Sequence, residues 1–172
     1  VLAAIAMAVC YGVDMAASAN VLGSVQLSER RLQIVKRGDV TFIDDSYNAN
    51  PHSMMAALET LKMVKDGSEK KYRCRSIAIL ADMLELGDFA QKAHEEIGLM
   101  CKDIGVDYLI TYGENAKNIY WAAKKAGVKA QFCDNVKQAY ECLMHVVRSG
   151  DVVLLKGSHS MEVNKVLGYF DE

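Results

Sequence analysis

Five times along this chain a short apolar run gives way to a stretch with helical spacing, and that alternation constrains the fold more than any other feature. The spacing predicts strands over Leu32–Lys36, Val40–Asp44, Ser76–Ala81, Tyr108–Thr111, Ala130–Cys133 and Val152–Lys156. It predicts helices over Pro51–Val64, Phe89–Ile104, Ala116–Ala126, Val136–Val147 and Met161–Phe170. In the first helix Met54, Leu58, Leu61 and Met63 are expected to share a side; in the second, Phe89, Ala93, Ile97, Met100 and Ile104 step by three or four. Asp88 is the expected N-cap of that second helix, and Gly67, Gly105, Gly127 and Gly150 mark helix ends or following turns. Alternating β and α units imply an α/β fold: a Rossmann-like, open, mostly parallel sheet with helices on both faces. No GxGxxG follows any strand, which removes support for a nicotinamide or flavin site, and there is no GxxxxGK[ST] phosphate loop.

Composition narrows the function classes. A net charge of −2 gives no electrostatic case for nucleic acid. Cys10, Cys74, Cys101, Cys133 and Cys142 are scattered, odd in number and without CxxC spacing, so they read as free thiols in a reducing compartment. Residues 1–11 are almost wholly apolar but too short to cross a bilayer, so no membrane insertion is expected. They read instead as a helix buried on all sides, broken at Gly12, with a second short helix from Asp14 to about Leu22. A terminal helix of that kind implies missing neighbours. Residues 1–27 are therefore expected to be the helical tail of a preceding domain, and residues 28–172 a complete α/β domain.

Three strand-to-helix turns carry the chemistry. The densest is Asp44-Asp45-Ser46-Tyr47-Asn48-Ala49-Asn50-Pro51, where Asn50 suits an N-cap and Pro51 the first helical position. Such turns lie at the carboxyl ends of strands, where open α/β sheets bind ligands. An Asx-rich turn that merely caps a helix uses the same residues, and that reading stands beside the functional one. The second turn is Lys156-Gly157-Ser158-His159-Ser160-Met161, whose backbone N–H groups and side-chain donors suit an anion. The third is Ala81-Asp82-Met83-Leu84-Glu85-Leu86-Gly87, with His94 a turn into the next helix. Asp82, Glu85 and His94 could bind metal or perform acid–base chemistry, although charged residues at helix starts more often cap or face solvent.

Together with Leu27-Ser28-Glu29-Arg30-Arg31-Leu32, these turns resemble the Mur ligase family in sequence and order, over essentially the whole chain. The DSYNANP run is the specific part. Within the family it is nearest the branch that adds D-alanyl-D-alanine to UDP-MurNAc-tripeptide in the cytoplasm. The resemblance implies an ADP-forming ligase: ATP phosphorylates a peptide carboxylate, and an incoming amine displaces phosphate. It also implies that Arg31, Asp45, Tyr47, Asn48 and Asn50 face the nucleotide, with Asp45 on the ribose hydroxyls. Ser158, His159, Lys156, Asp82, Glu85 and His94 would face the amine substrate. No catalytic residue and no metal ligand is expected in this stretch; the phosphate loop and the Mg2+ ligands would belong to upstream domains, over which this domain closes as a lid.

Two positions depart from the family pattern: Ala81 stands where glycine is usual, and His159 where arginine is common; Glu29 and Arg30 before Arg31 are also atypical. An imidazole holds a carboxylate less firmly than a guanidinium fork, so more weight falls on Ser158. The alternatives are a sister Mur or folylpolyglutamate-type ligase with another amine substrate, or a non-catalytic Rossmann-like binding domain.

Overall fold

The computed structural model describes residues 2–24, 29–67 and 74–170. The expected boundary at residues 27 and 28, with Leu27 and Ser28 of the first motif, lies outside them. The elements run α1 (Leu2–Cys10), α2 (Met15–Ser24), β1 (Gln33–Arg37), β2 (Val40–Asp44), α3 (Pro51–Gly67), β3 (Ser76–Ala81), α4 (Ala90–Ile104), β4 (Tyr108–Tyr112), α5 (Ala116–Lys125), β5 (Ala130–Cys133), α6 (Val136–Val146), β6 (Val152–Lys156) and α7 (Lys165–Phe170).

The strands form one six-stranded sheet in the order β1-β2-β6-β3-β4-β5. All neighbours are parallel except β1, which pairs antiparallel with β2 across a tight turn at Gly38 (φ +55°). The central strand β6 lies between β2 and β3, and all five of its residues are buried. Continuous apolar runs are what a parallel strand covered on both faces requires. On one face Ile43, Ala78, Leu80, Leu109 and Leu154 pack against Met54, Leu58 and Leu61 of α3 and against α4 and α5. On the other, Phe42, Ile77, Ile79, Ile110, Val153 and Leu155 meet Ala139 and Leu143 of α6 and Val166 of α7. Each fully buried leucine contributes roughly 1.5–3 kcal/mol to this core.

Several details differ from the sequence reading. Met63 is 73% exposed, because two residues past Leu61 is the wrong side of a helix whose buried stripe is Met54, Leu58 and Leu61. Phe89 is 75% exposed and sits in a 3-10 turn over Gly87–Phe89 that precedes α4. Phe89 therefore holds the N-cap position in place of Asp88, and no side chain caps that helix. The expected helix over Met161–Phe170 begins only at Lys165, after a separate 3-10 turn at His159–Met161. At the amino-terminal end α1 ends before Gly12 (φ +81°), and Asp14 caps α2 by accepting the Ala17 N–H at 2.9 Å. Within this chain, however, that segment is not buried on all sides: Met7, Tyr11, Met15 and Val21 are exposed, since most of its surroundings here are solvent.

Candidate functional site

Because β2, β6 and β3 are neighbours, the three turns at their carboxyl ends lie side by side. The turn after β2 is built around internal bonds. Asp44 is buried, and its Oδ1 accepts the Ser46 N–H at 3.1 Å and the Ser46 hydroxyl at 2.5 Å. Asn50 caps α3 by accepting the Ser53 N–H at 2.9 Å, while Ser53 Oγ accepts the Asn50 N–H at 3.0 Å. Asn48 and Tyr47 remain exposed.

Two elements brace this turn. The first is the backbone around Arg31. Arg30 (φ 59°) and Leu32 (φ 51°) are both left-handed. Their sharp path lets Arg30 C=O accept the Tyr47 N–H at 3.0 Å and lets the Leu32 N–H reach Asp45 Oδ1 at 3.1 Å. Arg31 then projects over the Tyr47 ring, guanidinium carbon 4.3 Å from its centroid. The second is Lys156, the last residue of β6. Its side chain is 2% exposed and ion-pairs with Asp45 Oδ2; it also donates to Asn48 C=O at 3.0 Å and Asp45 C=O at 3.3 Å. All three ammonium donors therefore have partners inside the protein.

The turn after β6 is fixed to the turn after β3. Ser158 N–H donates to Asp82 C=O, and Leu84 N–H donates back to Ser158 Oγ, both at 2.9 Å. Ser158 is 5% exposed, and its hydroxyl proton remains available to a ligand. Tyr112 donates its phenol to Met161 C=O at 2.5 Å. Burial, with the nearby Glu162 and Asp82 carboxylates, raises the Tyr112 pKa and keeps it a donor. Gly157 has no room for a side chain: a Cβ there would lie 2.8 Å from Ala81 Cβ and 2.8 Å from Val163 Cγ2. The methyl of Ala81 thus fits because Gly157, just past the end of β6, carries none.

Asp82, Glu85 and His94 do not converge on one centre. Asp82 Oδ1 accepts the Ala116 N–H at the start of α5 at 2.7 Å, and Gly113 (φ +112°) leaves the space that carboxylate fills. His94 is fully buried: Nε2 accepts the Met83 N–H at 3.0 Å and Nδ1 lies 2.6 Å from Ala90 C=O, which defines the Nδ1–H tautomer. Glu85 alone is exposed, in a left-handed conformation (φ 63°). Among the described residues no group of three or more His, Cys, Asp or Glu could hold a metal ion. No described helix is long and apolar enough to cross a membrane.

Two adjoining clefts result. One, of about 380 Å³, is lined by Arg31, Leu32, Asp45, Tyr47, Asn48, Asn50, Ser53 and Lys156. The other, of about 610 Å³, is lined by Tyr47, Asn48, Ala49, Asn50, Leu84, Glu85, Leu86, Ser158, His159 and Ser160. Tyr47, Asn48 and Asn50 form the wall between them, and the Tyr47 and His159 rings lie 6.0 Å apart across the second. Sequence reasoning missed Leu32, Ala49, Ser53, Leu84 and Leu86 as lining residues. Ser53 had a signal, lying three residues after the Asn50 cap; the leucines had none, since an apolar residue in a turn reads as packing.

The fold is that of a Rossmann-like α/β domain, with its paired clefts at the carboxyl ends of adjacent parallel strands, where such sheets bind ligands. The chain belongs to the Mur ligase family: residues 30–159 match the family's model for the Mur ligase, glutamate ligase domain. It is 30% identical over 159 residues to the UDP-N-acetylmuramoyl-tripeptide–D-alanyl-D-alanine ligase of Rickettsia prowazekii (strain Madrid E), covering 92% of this chain and 34% of that protein. The enzyme of the same name from Bacillus subtilis (strain 168) is 29% identical over 169 residues, 96% of this chain and 36% of the relative. The chain therefore spans about a third of the length of the curated relatives it matches. In fold it is similar to MurF from Acinetobacter baumannii (TM-score 0.81, 23% identity, 96% of this chain and 35% of that one). It is also similar to the MurF ligase from Thermotoga maritima in complex with ADP (TM-score 0.68, 23% identity, 91% and 36%).

Proposed function

We propose that the full-length protein is an ATP-dependent, ADP-forming ligase that adds D-alanyl-D-alanine to UDP-MurNAc-tripeptide in peptidoglycan precursor synthesis. This chain supplies the closing domain that completes its nucleotide and dipeptide sites. The observation that carries the reading is the pair of adjoining clefts divided by Tyr47, Asn48 and Asn50, in a chain whose relatives bear that enzyme's name.

The smaller cleft takes the nucleotide side. Asp45 Oδ1 and Oδ2 each keep a lone pair beyond their bonds to Leu32 and Lys156, which suits the two ribose hydroxyls. Arg31, stacked on Tyr47, offers a cation for phosphate or a flat face for the base. The larger cleft takes the dipeptide: Ser158 and His159 hold its carboxylate, and the exposed Glu85 attracts its ammonium. In the reaction, the tripeptide carboxylate attacks the γ-phosphorus and ADP leaves; the dipeptide ammonium loses a proton to solvent, the freed amine attacks the acyl carbon, and phosphate leaves with the second amine proton lost as the amide forms. The residues of this chain bind and orient, a role that makes positioning the source of their rate effect. Asp82, His94 and Lys156, whose side chains are bonded within the protein, hold the turns from behind.

Residues 1–27 we assign to the preceding domain, and residues 28–172 to the closing domain. The exposed apolar residues of α1 and α2, which flank a groove of about 290 Å³ lined by Ala4, Ala8, Val13, Ala17, Ser18 and Val21, support this. The 172-residue chain alone is expected to make no peptide bond. The test is phosphate release by the full-length protein with ATP, magnesium and UDP-MurNAc-tripeptide, offering D-alanyl-D-alanine, D-glutamate, L-lysine, meso-diaminopimelate and L-glutamate in turn. Release with D-alanyl-D-alanine alone is the expected result. Release with another amine moves the protein to a sister ligase, and none at all from folded protein overturns the ligase reading.

A further inference from the structure

Lys156 has a position no other residue of the site shares. Through its backbone it belongs to β6 and stands two residues before Ser158, in the dipeptide cleft. Through its ammonium it belongs to the turn after β2, holding the Asp45 carboxylate and the Asp45 and Asn48 carbonyls. A buried ammonium has high directional value: with three fixed acceptors it cannot shift without leaving a charge unpaired in the interior, which costs far more than a displaced surface contact. The turn and the strand end must then move as one body. Asn48 belongs to the wall between the clefts, so a displacement of Asp45 on the nucleotide side reaches both clefts.

We infer that Lys156 is a positioning residue that couples the nucleotide cleft to the amine-substrate cleft, so that occupancy of one raises affinity in the other. The inference rests on the ligase reading above. It requires no contact between Lys156 and either substrate. The coupling is a free energy and must be reciprocal: whatever factor nucleotide imposes on dipeptide affinity, dipeptide imposes on nucleotide affinity.

The full-length protein tests this. In Lys156→Met the aliphatic stem still fills the buried site but all three donors are gone. Lys156→Gln, which keeps an amide donor for the Asn48 carbonyl, serves if the first variant does not fold. Ser158→Ala and Arg31→Ala, each lining one cleft and not the other, are the comparison variants, each expected to raise KM chiefly for one substrate. In the Lys156 variant, with folding verified by its melting transition, KM is expected to rise about tenfold for both ATP and D-alanyl-D-alanine, a tenfold change being about 1.4 kcal/mol. ADP affinity measured by calorimetry, with and without D-alanyl-D-alanine, is expected to differ in the wild type and to be equal in the variant. Both KM values within twofold of wild type, or ADP–dipeptide coupling unchanged, would overturn the inference while leaving the ligase reading intact. A wild-type protein inactive with every amine would instead overturn the reading on which it rests.

Discussion

Gly157→Ala is the sharpest test of how the dipeptide turn is held. The added methyl carbon would lie 2.8 Å from both Ala81 Cβ and Val163 Cγ2, roughly 0.7 Å inside the ~3.5 Å optimum for such contacts. Neither neighbour yields easily. Ala81 Cβ is attached directly to a central strand, Val163 is β-branched, and both are fully buried. Overpacking of this kind costs about 1–3 kcal/mol. Against it, replacing glycine by alanine stiffens the unfolded chain and returns about 0.4–1 kcal/mol. The net expectation is a loss of ~0.5–2 kcal/mol, or a fall of about 1–8 °C in melting temperature for a domain of this size. Ala81→Gly removes one of the two obstructing atoms, so the double variant is expected to be less destabilised than the two single losses added together. Thermal melts followed by circular dichroism measure all three. A Gly157→Ala protein that melts at or above the wild-type temperature would refute the reasoning. Strict additivity with Ala81→Gly would show that the Ala81 methyl is not the obstacle.

Two further outcomes follow from the packing and charges elsewhere. Gly98→Ala places a Cβ 2.4 Å from Ile119 C=O and 2.7 Å from Ala122 Cβ, where α4 and α5 touch backbone to backbone; despite alanine's helix preference of about 1 kcal/mol, chemical denaturation is expected to show a less stable protein. Burial alone would raise the pKa of Asp107, but bonds from Lys65 (2.7 Å) and the Ser76 N–H (2.9 Å) outweigh it and lower the pKa. A lowered folded pKa means the stabilisation is complete above the unfolded value, about 3.9, and fades as pH falls through the folded one. Stability against pH should therefore be flatter below about pH 4 in Asp107→Asn. The difference will be small, because this carboxylate is 40% exposed and screened by water.

Much of this fold was legible in the sequence because its signals are local. Four of the six strands begin and end at the expected residues; Gln33–Arg37 is shifted by one residue, and Tyr108–Tyr112 runs one longer. A run such as Val152–Leu155, apolar at every position, can only be a strand covered on both faces once the flanking turns limit its length. The order of the strands was not legible. Nothing within Val152–Lys156 says that it enters between β2 and β3, and that insertion places Lys156 beside Asp45, 111 residues away. The hairpin at Gly38 did leave a sign, a Gly-Asp pair between two strand-like runs, but the parallel pattern of the remainder hid it. Phe89 and Met63 show the opposite error: period assigns large apolar residues to a buried face even where a 3-10 turn or an off-stripe position leaves them in water.

The candidate site was legible as three segments and illegible in its division of labour. Sequence treats Lys156, Asp82 and His94 as chemically equivalent to Ser158 and Glu85: polar groups near a strand end. The structure separates them by what each side chain already holds. Lys156 holds three oxygens, Asp82 the Ala116 N–H and His94 the Met83 N–H, whereas Glu85, His159 and Asn48 are exposed. The distinction has a physical origin. A turn rich in polar side chains has many competing conformations, because Asp, Asn and Ser bond readily to their own backbone. Selecting one of them takes groups that reach in from neighbouring strands and are buried enough to have no alternative partner. Only then can the few groups left facing the clefts meet a ligand without first being ordered, which is where a binding site loses affinity. The internally bonded residues are therefore as necessary to the site as the exposed ones, and loss of Lys156 should act on both clefts where loss of Glu85 or His159 acts on one.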